Sequence, residues 1–342
     1  MANTYKILTN DDIVVIETPL YESVPLSGTL ASGTYVGEGN ILNFSHGMFQ
    51  SVWDYPYASS SANHLYDITC GYASSSVASN TGSVQNDKKI SIYNQMAQKL
   101  AGYDATGSIQ LFDEDGDFAS GGNKLRECIF INFSRLLYKE EIKKGSFSMG
   151  VYTSGPYTGR TGPETITDAH AATSYLVNSP AGEYTYLTKS DGSKVGLIYY
   201  QAGIVVLTGS LFTGTGATTF YSTSTPGNQN ITAALTGSSI SGTCDAFRKR
   251  LHQISFNSTT KLQSTMIFLP VGHSDFNYSS NPTFLSSSKI VVKTNSNDLP
   301  RTYVTTIGLY SPDNELLAVG KISEPVAKNP AISFVLRGRL DY

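Results

Sequence analysis

Most of this chain alternates apolar and polar residues over runs of about five to eight positions, and the runs break at Gly, Asn, Asp or Pro. Successive side chains of a β-strand point to opposite faces of the sheet, so a period of two is typical of half-buried strands. In the last run, Phe334 and Leu336 share one face, whereas Arg337 and Arg339 share the other. We therefore expect β-strands to dominate the fold.

A β-hairpin is predicted near the carboxyl end, where residues 303–310 and 315–322 flank the turn sequence Ser311-Pro312-Asp313-Asn314. Pro presets its own φ for a turn, and Asp and Asn side chains can bond to nearby backbone groups. The apolar residues 13–16, flanked by acidic residues, predict another strand near the amino end. This run lacks the basic leader of a signal peptide.

Two segments show helical spacing instead. Over residues 87–102 apolar positions recur every three or four residues, and Asp87 and Gly102 are placed to cap the start and the end. The apolar residues are Ile90, Tyr93, Met96, Ala97 and Leu100. We expect this helix to close one side of a sheet, because a helix with a narrow apolar stripe usually packs on one.

The second helix is predicted over residues 243–254. Its inner face would carry Cys244, Phe247, Leu251 and Ile254, and its outer face Arg248, Lys249 and Arg250. The same packing argument places this helix against the sheet.

Low charge and abundant glycine predict long loops between these elements. Only 15% of the residues are charged and 31 are Gly, whereas average globular chains have roughly 25% charged residues. Stretches rich in Gly, Ser and Thr occur at residues 58–83, 103–123, 153–194 and 208–243. The expected fold class is mainly β with a few short helices (α+β), an antiparallel sheet or sandwich with long Ser/Gly/Thr-rich loops. Composition places a β-rich amino-terminal arm at residues 1–85 and a main β-rich domain, with both helices and the loop insertions, at residues 86–342.

Charge and cysteine content argue against several classes of partner. The 24 basic and 27 acidic residues give a net charge of −3 without a block of one sign, so neither nucleic acid nor a membrane is an expected partner. No run approaches the roughly 20 apolar residues that span a bilayer. Cys70, Cys128 and Cys244 are too far apart for a metal knuckle or a dense disulfide framework, which fits synthesis in a reducing compartment.

No sequence frame for catalysis or cofactor binding occurs in the chain. There is no nucleophile elbow, phosphate-binding loop or dinucleotide fingerprint, and no two histidines stand at metal-ligand spacing. The histidines are His46, His64, His170, His252 and His273. We expect neither enzymatic activity nor a cofactor. Paired carboxylates for glycoside cleavage need only meet in space, so they would leave no such frame.

One acidic cluster, Asp113-Glu114-Asp115-Gly116-Asp117, imitates the start of a calcium loop with Asp at positions 1, 3 and 5. The rest of that frame is missing, because position 6 is Phe118 instead of Gly and position 12 is Lys124 instead of a carboxylate. The strand-like Leu111-Phe112 before the cluster favours a hairpin turn. We therefore expect a turn here and no metal ligand.

Six segments within residues 86–342 resemble a known protein family, and they occur in the same order. They are KKISIYNQMAQKLAG (88–102), FSRLLYKEEIKKGSFSMGV (133–151), VGLIYYQAGIVVL (195–207), HSDFNYSSNPTF (273–284), RTYVTTIGLYSPDNELLAVGKISEPV (301–326) and RGRLDY (337–342). These segments resemble virion structural proteins of large tailed bacteriophages, especially marine and cyanobacterial phages with contractile tails. Residues 1–85 carry none of the resemblance.

The resemblance implies a non-enzymatic structural component of the virion, made in the host cytoplasm. It favours a position in the tail or baseplate, with the neck and the head surface (a decoration protein) as alternatives. The partners would be other virion structural proteins and further copies of the chain, because repeated subunits usually form closed symmetric homo-oligomers. A protein of another class, a receptor-binding or tailspike-like protein that recognises a glycan, is a further alternative.

Candidate assembly contacts follow from residue type and position, since aromatic and arginine side chains are enriched in interface cores. The candidates are Trp53, Tyr55, Tyr57, Lys124, Arg126, Phe276, Tyr278, Phe284, Arg337, Arg339 and Tyr342. Around Tyr278 the alternative is that residues 277–282 form only a tight turn. For Trp53 the alternative is a small buried cluster.

Overall fold

The computed structural model describes residues 5–27, 39–55, 57, 61–76, 84–118, 121–153, 162–212, 231, 235, 239–279, 285–286, 289–290, 297 and 299–342. Three α-helices have both ends within these residues: Val84–Leu100 (α1), Arg135–Tyr138 (α2) and Ile240–Arg250 (α3). The strands are Ile13–Ser27 (β1), Ile41–Asn43 (β2), Gln50–Trp53 (β3), His64–Tyr72 (β4), Phe112–Asp113 (β5), Lys124–Leu125 (β6), Glu127–Phe133 (β7), Glu141–Ile142 (β8), Ser148–Val151 (β9), Glu164–Thr167 (β10), Leu176–Ser179 (β11), Gly182–Lys189 (β12), Lys194–Tyr199 (β13), Ile204–Thr208 (β14), Leu251–Val271 (β15), Leu285–Ser286 (β16), Lys289–Ile290 (β17), Thr302–Tyr310 (β18), Leu316–Lys328 (β19) and Phe334–Asp341 (β20). Short 3₁₀ turns lie at Asn10–Asp12, Ala169–Ala172 and Gly209–Phe212.

Antiparallel pairing dominates these strands, which confirms the mainly β fold expected from the alternation. The largest sheet contains the neighbour order β15-β9-β10-β12-β13-β14-β7-β4-β3-β2, and each neighbouring pair is antiparallel. Strands β18 and β19 pair antiparallel in a separate sheet, so the hairpin predicted around residues 311–314 is confirmed. The strand expected at residues 13–16 lies within β1.

The chain forms two compact units that do not follow the division expected at residue 85. Unit 1 consists of Met1–Pro19 and Lys261–Tyr342, and unit 2 consists of Leu20–Thr260. Strand β2 pairs with β3, β3 pairs with β4 and β4 pairs with β7, so these three strands complete the sheet formed by later residues instead of building an arm. Composition missed this arrangement because pairing between distant strands leaves no trace in local residue content.

Unit 2 has a sheet whose central strands are buried on both faces. All residues of β14 and consecutive residues of β7 are buried, a pattern typical of strands that are covered on two sides. Helix α1 packs directly on β4 at Gly71, where a Cβ would lie 2.6 Å from the backbone oxygen of Lys89 and 2.9 Å from the backbone nitrogen of Tyr93. The Tyr93 ring centroid then lies 5.5 Å from that of Phe112 and 6.4 Å from that of Phe130. The absence of a side chain at residue 71 therefore brings the aromatic core together.

Helix α1 matches the expected helix of residues 87–102 closely. Of the expected apolar face, Tyr93, Ala97 and Leu100 are buried, and Ile90 and Met96 pack half-buried against the core. The helix begins at residue 84, so residue 87 lies in its first turn instead of capping it. It ends just before residue 102, a glycine with a φ of 86°, as expected for a helix terminator.

Helix α3 differs from the expected helix at its carboxyl end and on its charged face. It ends at Arg250, because strand β15 begins at the next residue, whereas the helix was expected to reach residue 254. Arg248 and Arg250 were expected to face outward, but both are buried. The Arg248 guanidinium lies 2.9 Å from Asp245 Oδ1 and 3.2 Å from Gln50 Oε1, and Arg250 donates to a backbone oxygen at 3.0 Å. Polar acceptors close to the sheet thus hold the arginines inside.

Several stretches expected to be loops contain regular strands. Residues 64–72 form β4, and residues 164–189 contain β10, β11 and β12. Their Thr, Ser and Tyr residues belong to strand alternation, as in β12, where Tyr184 and Leu187 are buried. Strands β5 and β6 pair antiparallel, which confirms the hairpin turn expected at the acidic cluster. Most of the 208–243 stretch lies outside the described residues.

Gly71→Ala should destabilise unit 2, because the added methyl group would overlap backbone atoms of α1. Overpacking of this kind costs about 1–3 kcal/mol, which chemical denaturation of the full chain can measure. Gly320→Ala in β19 is the matched control, since nothing lies within 4 Å of its added carbon. The control should change the free energy of unfolding by less than about 0.5 kcal/mol. Equal effects of the two substitutions would contradict the close helix–sheet contact.

Candidate assembly surface

Unit 1 exposes most of its large hydrophobic side chains, whereas unit 2 buries most of its own. Among the described residues, the buried hydrophobic side chains of unit 1 are Ile267 and Val271. The exposed ones, which together we call the apolar surface, are Tyr5, Ile7, Ile13, Val14, Val15, Ile16, Leu262, Phe276, Tyr278, Leu299, Tyr303, Tyr310, Leu316, Leu317, Val319, Ile332, Val335, Leu340 and Tyr342. Single exposed hydrophobic residues are common, but many of them in one unit indicate a surface that partners cover.

The β18–β19 hairpin carries much of the apolar surface. Its turn is closed by the Ser311 N–H, which donates to the Glu315 backbone oxygen at 2.8 Å, and Asn314 adopts a left-handed φ of 62°. Leu317 and Val319 are 68% and 56% exposed. Within the described part of the chain, β18 and β19 pair only with each other. A two-stranded sheet is at best marginally stable in water, so this hairpin has the most to gain from a covering partner.

A groove of about 830 Å³ lies in unit 1, bordered by β18, the end of β15 and residues 276–279. Its lining is largely apolar and includes Tyr5, Pro270 and Ile307. Two of the candidates from the sequence, Phe276 and Tyr278, both line this groove, and they are 47% and 53% exposed. Such a groove suits an aromatic or aliphatic anchor from a partner.

A buried lysine holds the turn that carries Phe276. The Lys328 ammonium donates to Asn277 Oδ1 at 2.8 Å, and it also donates to two backbone oxygens. These belong to His273 and Asn329, at 3.0 and 2.8 Å. Three acceptors match the three N–H groups of an ammonium. Phe276 has a φ of 54°, a left-handed conformation that a bulky residue keeps only when its surroundings hold it.

The Asp275 side chain stabilises the same turn. Its Oδ2 accepts the Gly272 N–H at 2.9 Å and lies 3.4 Å from Lys6 Nζ. The backbone N–H, followed by the Lys6 ammonium, lowers the pKa of Asp275 from its ordinary value of 3.8. The pKa of Asp275 is thus lower in the folded chain than in the unfolded chain. The contribution of its carboxylate to folding stability is therefore complete above the ordinary pKa and is lost as the pH falls through the folded pKa. At neutral pH the Asp275 carboxylate therefore makes its full contribution to the stability of the turn.

Strand β20 and the residue after it carry three further candidates of unit 1. Arg337 is exposed, whereas Arg339 Nε lies 2.6 Å from Asp341 Oδ1. Tyr342 is 72% exposed, and its hydroxyl lies 3.1 Å from Thr265 Oγ1. Arg339 is thus tied within the chain, and the guanidinium of Arg337 and the ring of Tyr342 are more accessible to a partner.

The candidates at residues 53–57 belong to unit 2. Trp53 is half-buried, and its ring centroid lies 5.2 Å from that of His64, which fits the small cluster considered as the alternative. Tyr55 and Tyr57 are 55% and 44% exposed. This segment therefore keeps two tyrosine rings available at the surface of unit 2.

Lys124 and Arg126, the other candidates of unit 2, have different surroundings. The Lys124 ammonium forms an ion pair with the buried carboxylate of Asp113, so the positive charge of Lys124 is compensated within unit 2. Arg126 is exposed. Phe284, the remaining aromatic candidate, lies outside the described residues.

A serine, a histidine and an aspartate lie together near Trp53, but their bonds differ from those of a nucleophile relay. Ser51 Oγ donates to Asp67 Oδ1 at 2.5 Å, and His64 Nε2 lies 2.8 Å from the same oxygen. In a relay the histidine accepts the serine proton, and the carboxylate orients the histidine from its other nitrogen. Here one carboxylate oxygen receives both groups, so the arrangement joins β3 to β4 and does not activate the serine.

Sequence reasoning missed the exposed leucines of the hairpin, although a signal for them exists. Leu316 and Leu317 are adjacent, which breaks the alternation of a half-buried strand. The structure has a register shift here, between the pairs Leu309–Ala318 and Tyr310–Leu316, and both leucines are exposed. Lys328 left no comparable signal, because its acceptors come together only in the tertiary structure.

No protein-family model, curated protein or solved structure matches the chain. None of the helices in the described ranges is long and apolar enough to cross a membrane.

Lys328→Met should loosen the turn that carries Phe276, because three acceptors lose their donor. Leaving buried polar groups unpaired costs about 1–3 kcal/mol. Hydrogen–deuterium exchange of the full chain should therefore become faster over residues 272–279. Lys321→Met removes the same charge from an exposed position of β19 and should leave the exchange of this turn unchanged. Identical exchange in both variants would mean that the buried ammonium does not hold the turn.

Proposed function

We propose that this chain is a non-enzymatic structural subunit of a tailed-bacteriophage virion, in the tail or baseplate, and that unit 1 makes its assembly contacts. The observation that carries the proposal is the contrast between the two units. Unit 2 has an extensive core, whereas unit 1 has the apolar surface and only two buried hydrophobic side chains among its described residues. Monomeric proteins bury most of their large hydrophobic side chains, but the subunit of an assembly can leave them exposed until its neighbours cover them.

Burial of the exposed hairpin side chains by a partner would be favourable in free energy, because it would remove their apolar surface from water. Full burial of a Leu or Val side chain is worth about 1.5–3 kcal/mol, and Leu317 and Val319 are both more than half exposed. Several such side chains, with the rings of Tyr303 and Tyr310, reach the range of about 4–15 kcal/mol that association of two chains costs. The apolar surface is therefore large enough in energetic terms to drive assembly.

Further copies of the same chain suit this surface. In the residues that the structure describes, neither β18 nor β19 has a second strand neighbour, and open strand edges pair readily with other strands. A symmetry axis brings the same surface of each copy into an equivalent contact. The groove offers a second place for another copy or another virion protein.

The assignment to a phage particle comes from the resemblance described above. Three of its segments, residues 273–284, 301–326 and 337–342, fall in unit 1. These segments contain β18, most of β19 and most of β20, together with Phe276 and Tyr278 of the groove. Half of the segments that resemble virion proteins thus lie in the unit that carries the apolar surface, which supports a role of that unit in assembly.

The double variant Leu317→Lys, Val319→Lys should weaken self-association of the full chain, because it places charges on the apolar face of the hairpin. Analytical ultracentrifugation over a concentration series should show oligomers for the natural sequence and a dissociation constant raised by at least about tenfold for the variant. At concentrations where the natural sequence is monomeric, the melting temperature of the variant should equal that of the natural sequence, because both side chains are exposed in the single chain.

Val177→Lys is the matched control, because Val177 is 68% exposed on a strand of unit 2. It should assemble like the natural sequence. A natural chain that stays monomeric at all concentrations would contradict assembly through its own copies. Specific micromolar binding on a glycan array, or release of reducing sugar, would favour the receptor-binding alternative instead.

Tyr278→Ala tests the groove separately from the hairpin. If the Tyr278 ring is an anchor, its removal should weaken co-assembly by about tenfold or more, since interface aromatics often contribute 2 kcal/mol or more. The melting temperature of the isolated chain should stay the same, as measured by differential scanning fluorimetry. A lower melting temperature with unchanged assembly would show that the ring serves only the turn of residues 277–282.

A further inference from the structure

The hairpin loop between β5 and β6 brings three carboxylates together. One carboxylate oxygen from each of Asp113, Asp115 and Asp117 lies within 4.8 Å of those of the other two. Like charges this close disfavour one another unless a cation lies nearby. The three side chains differ in exposure: Asp113 is buried, Asp115 is half-buried and Asp117 is exposed. It therefore opens from the interior of unit 2 toward solvent.

The Asp113 side chain supplies a separate indication of a ligand. It is completely buried, and its Oδ2 pairs with the Lys124 ammonium. Among the described residues, its Oδ1 has no hydrogen-bond partner. A buried carboxylate oxygen without a partner is costly, and buried polar atoms of this kind call for a water or an ion. One acceptor position of the cluster is thus left unused by the protein itself.

Packing beneath the loop holds the carboxylates in place. The Tyr184 hydroxyl donates to the backbone oxygen of Gly116 at 2.7 Å, and the Phe118 ring stacks on the Tyr184 ring with 5.5 Å between centroids. On the other side, a Cβ at Gly122 would lie 3.2 Å from Asp113 Oδ1. The loop is therefore built around the carboxylates before any ligand binds, which lowers the entropy that binding would cost.

We infer that this cluster is a binding site for a hard divalent cation, with calcium as the ion that fits it best. Carboxylate oxygens with waters completing the shell suit Ca²⁺, whose coordination is flexible, whereas Mg²⁺ demands near-ideal octahedral geometry. Lys124 offsets one negative charge, and Lys194 Nζ lies 4.0 Å from Asp115 Oδ2. Affinity should therefore be modest, with a dissociation constant of about 10⁻⁴–10⁻³ M. This inference departs from the expectation of no metal ligand, because the carboxylates meet in space although the sequence frame of a calcium loop is broken.

Terbium luminescence of the full chain is the test, since Tb³⁺ replaces Ca²⁺ and Tyr184 lies close enough to sensitise it. Excitation of tyrosine should give saturable Tb³⁺ emission that Ca²⁺ displaces, with a weaker effect of Mg²⁺. Asp115→Asn should lower the Ca²⁺ affinity by at least about tenfold. Glu114→Gln changes the same charge in the same loop outside the cluster, and it should leave the affinity unchanged. Absence of Ca²⁺-displaceable emission, or equal losses in the two variants, would overturn the site.

A second variant tests the role of the buried carboxylate. Lys124→Met removes the ammonium beside Asp113, so the melting temperature should fall in chelator and recover by about 3 °C or more when Ca²⁺ is added at ten times its dissociation constant. The Ca²⁺ affinity of this variant should rise several-fold, because its competitor is gone. A melting temperature that does not respond to Ca²⁺ would overturn the inference. If this variant does not fold, the comparison of Asp115→Asn with Glu114→Gln decides the question alone.

Discussion

The contact of α1 with β4 at Gly71 organises unit 2, because it lets a helix backbone lie directly on the sheet. From that contact the Tyr93 ring reaches Phe112 and Phe130, and the strands around β4 and β7 become covered on both faces. A sheet covered in this way buries most of the large hydrophobic side chains of its unit. Unit 2 therefore has the hydrophobic core that stabilises its own fold.

In the described part of unit 1, polar contacts organise the turn beside the groove, and only Ile267 and Val271 are buried hydrophobic side chains. The buried Lys328 ammonium and the Asp275 carboxylate hold the turn beside the groove, while the hairpin strands leave hydrophobic side chains in water. Hydrogen bonds of this kind specify a shape but add little net free energy. The described residues of unit 1 bury few hydrophobic side chains, and a partner could bury the exposed ones, which is why we propose that unit 1 makes the assembly contacts.

Local signals in the sequence were enough for elements whose cause is local. The hairpin follows from Pro312 and its polar neighbours, and α1 follows from an apolar stripe that ends before a glycine. The groove could be predicted only in part: Phe276 and Tyr278 were singled out by residue type, but Lys328 was not. Charged residues were the least predictable, because Arg248 and Arg250 looked solvated and found buried acceptors only after the chain folded.

The sequence by itself determined the antiparallel β class, the hairpin and the first helix, since each depends on residues close together in the chain. Only the tertiary structure decided that β2, β3 and β4 join the large sheet, that the two ends of the chain form one unit, and that carboxylate oxygens of three aspartates lie within 4.8 Å of one another. Those outcomes depend on pairing and packing between distant residues. The contacts that stabilise these arrangements join residues far apart in the sequence, so no local pattern predicts them.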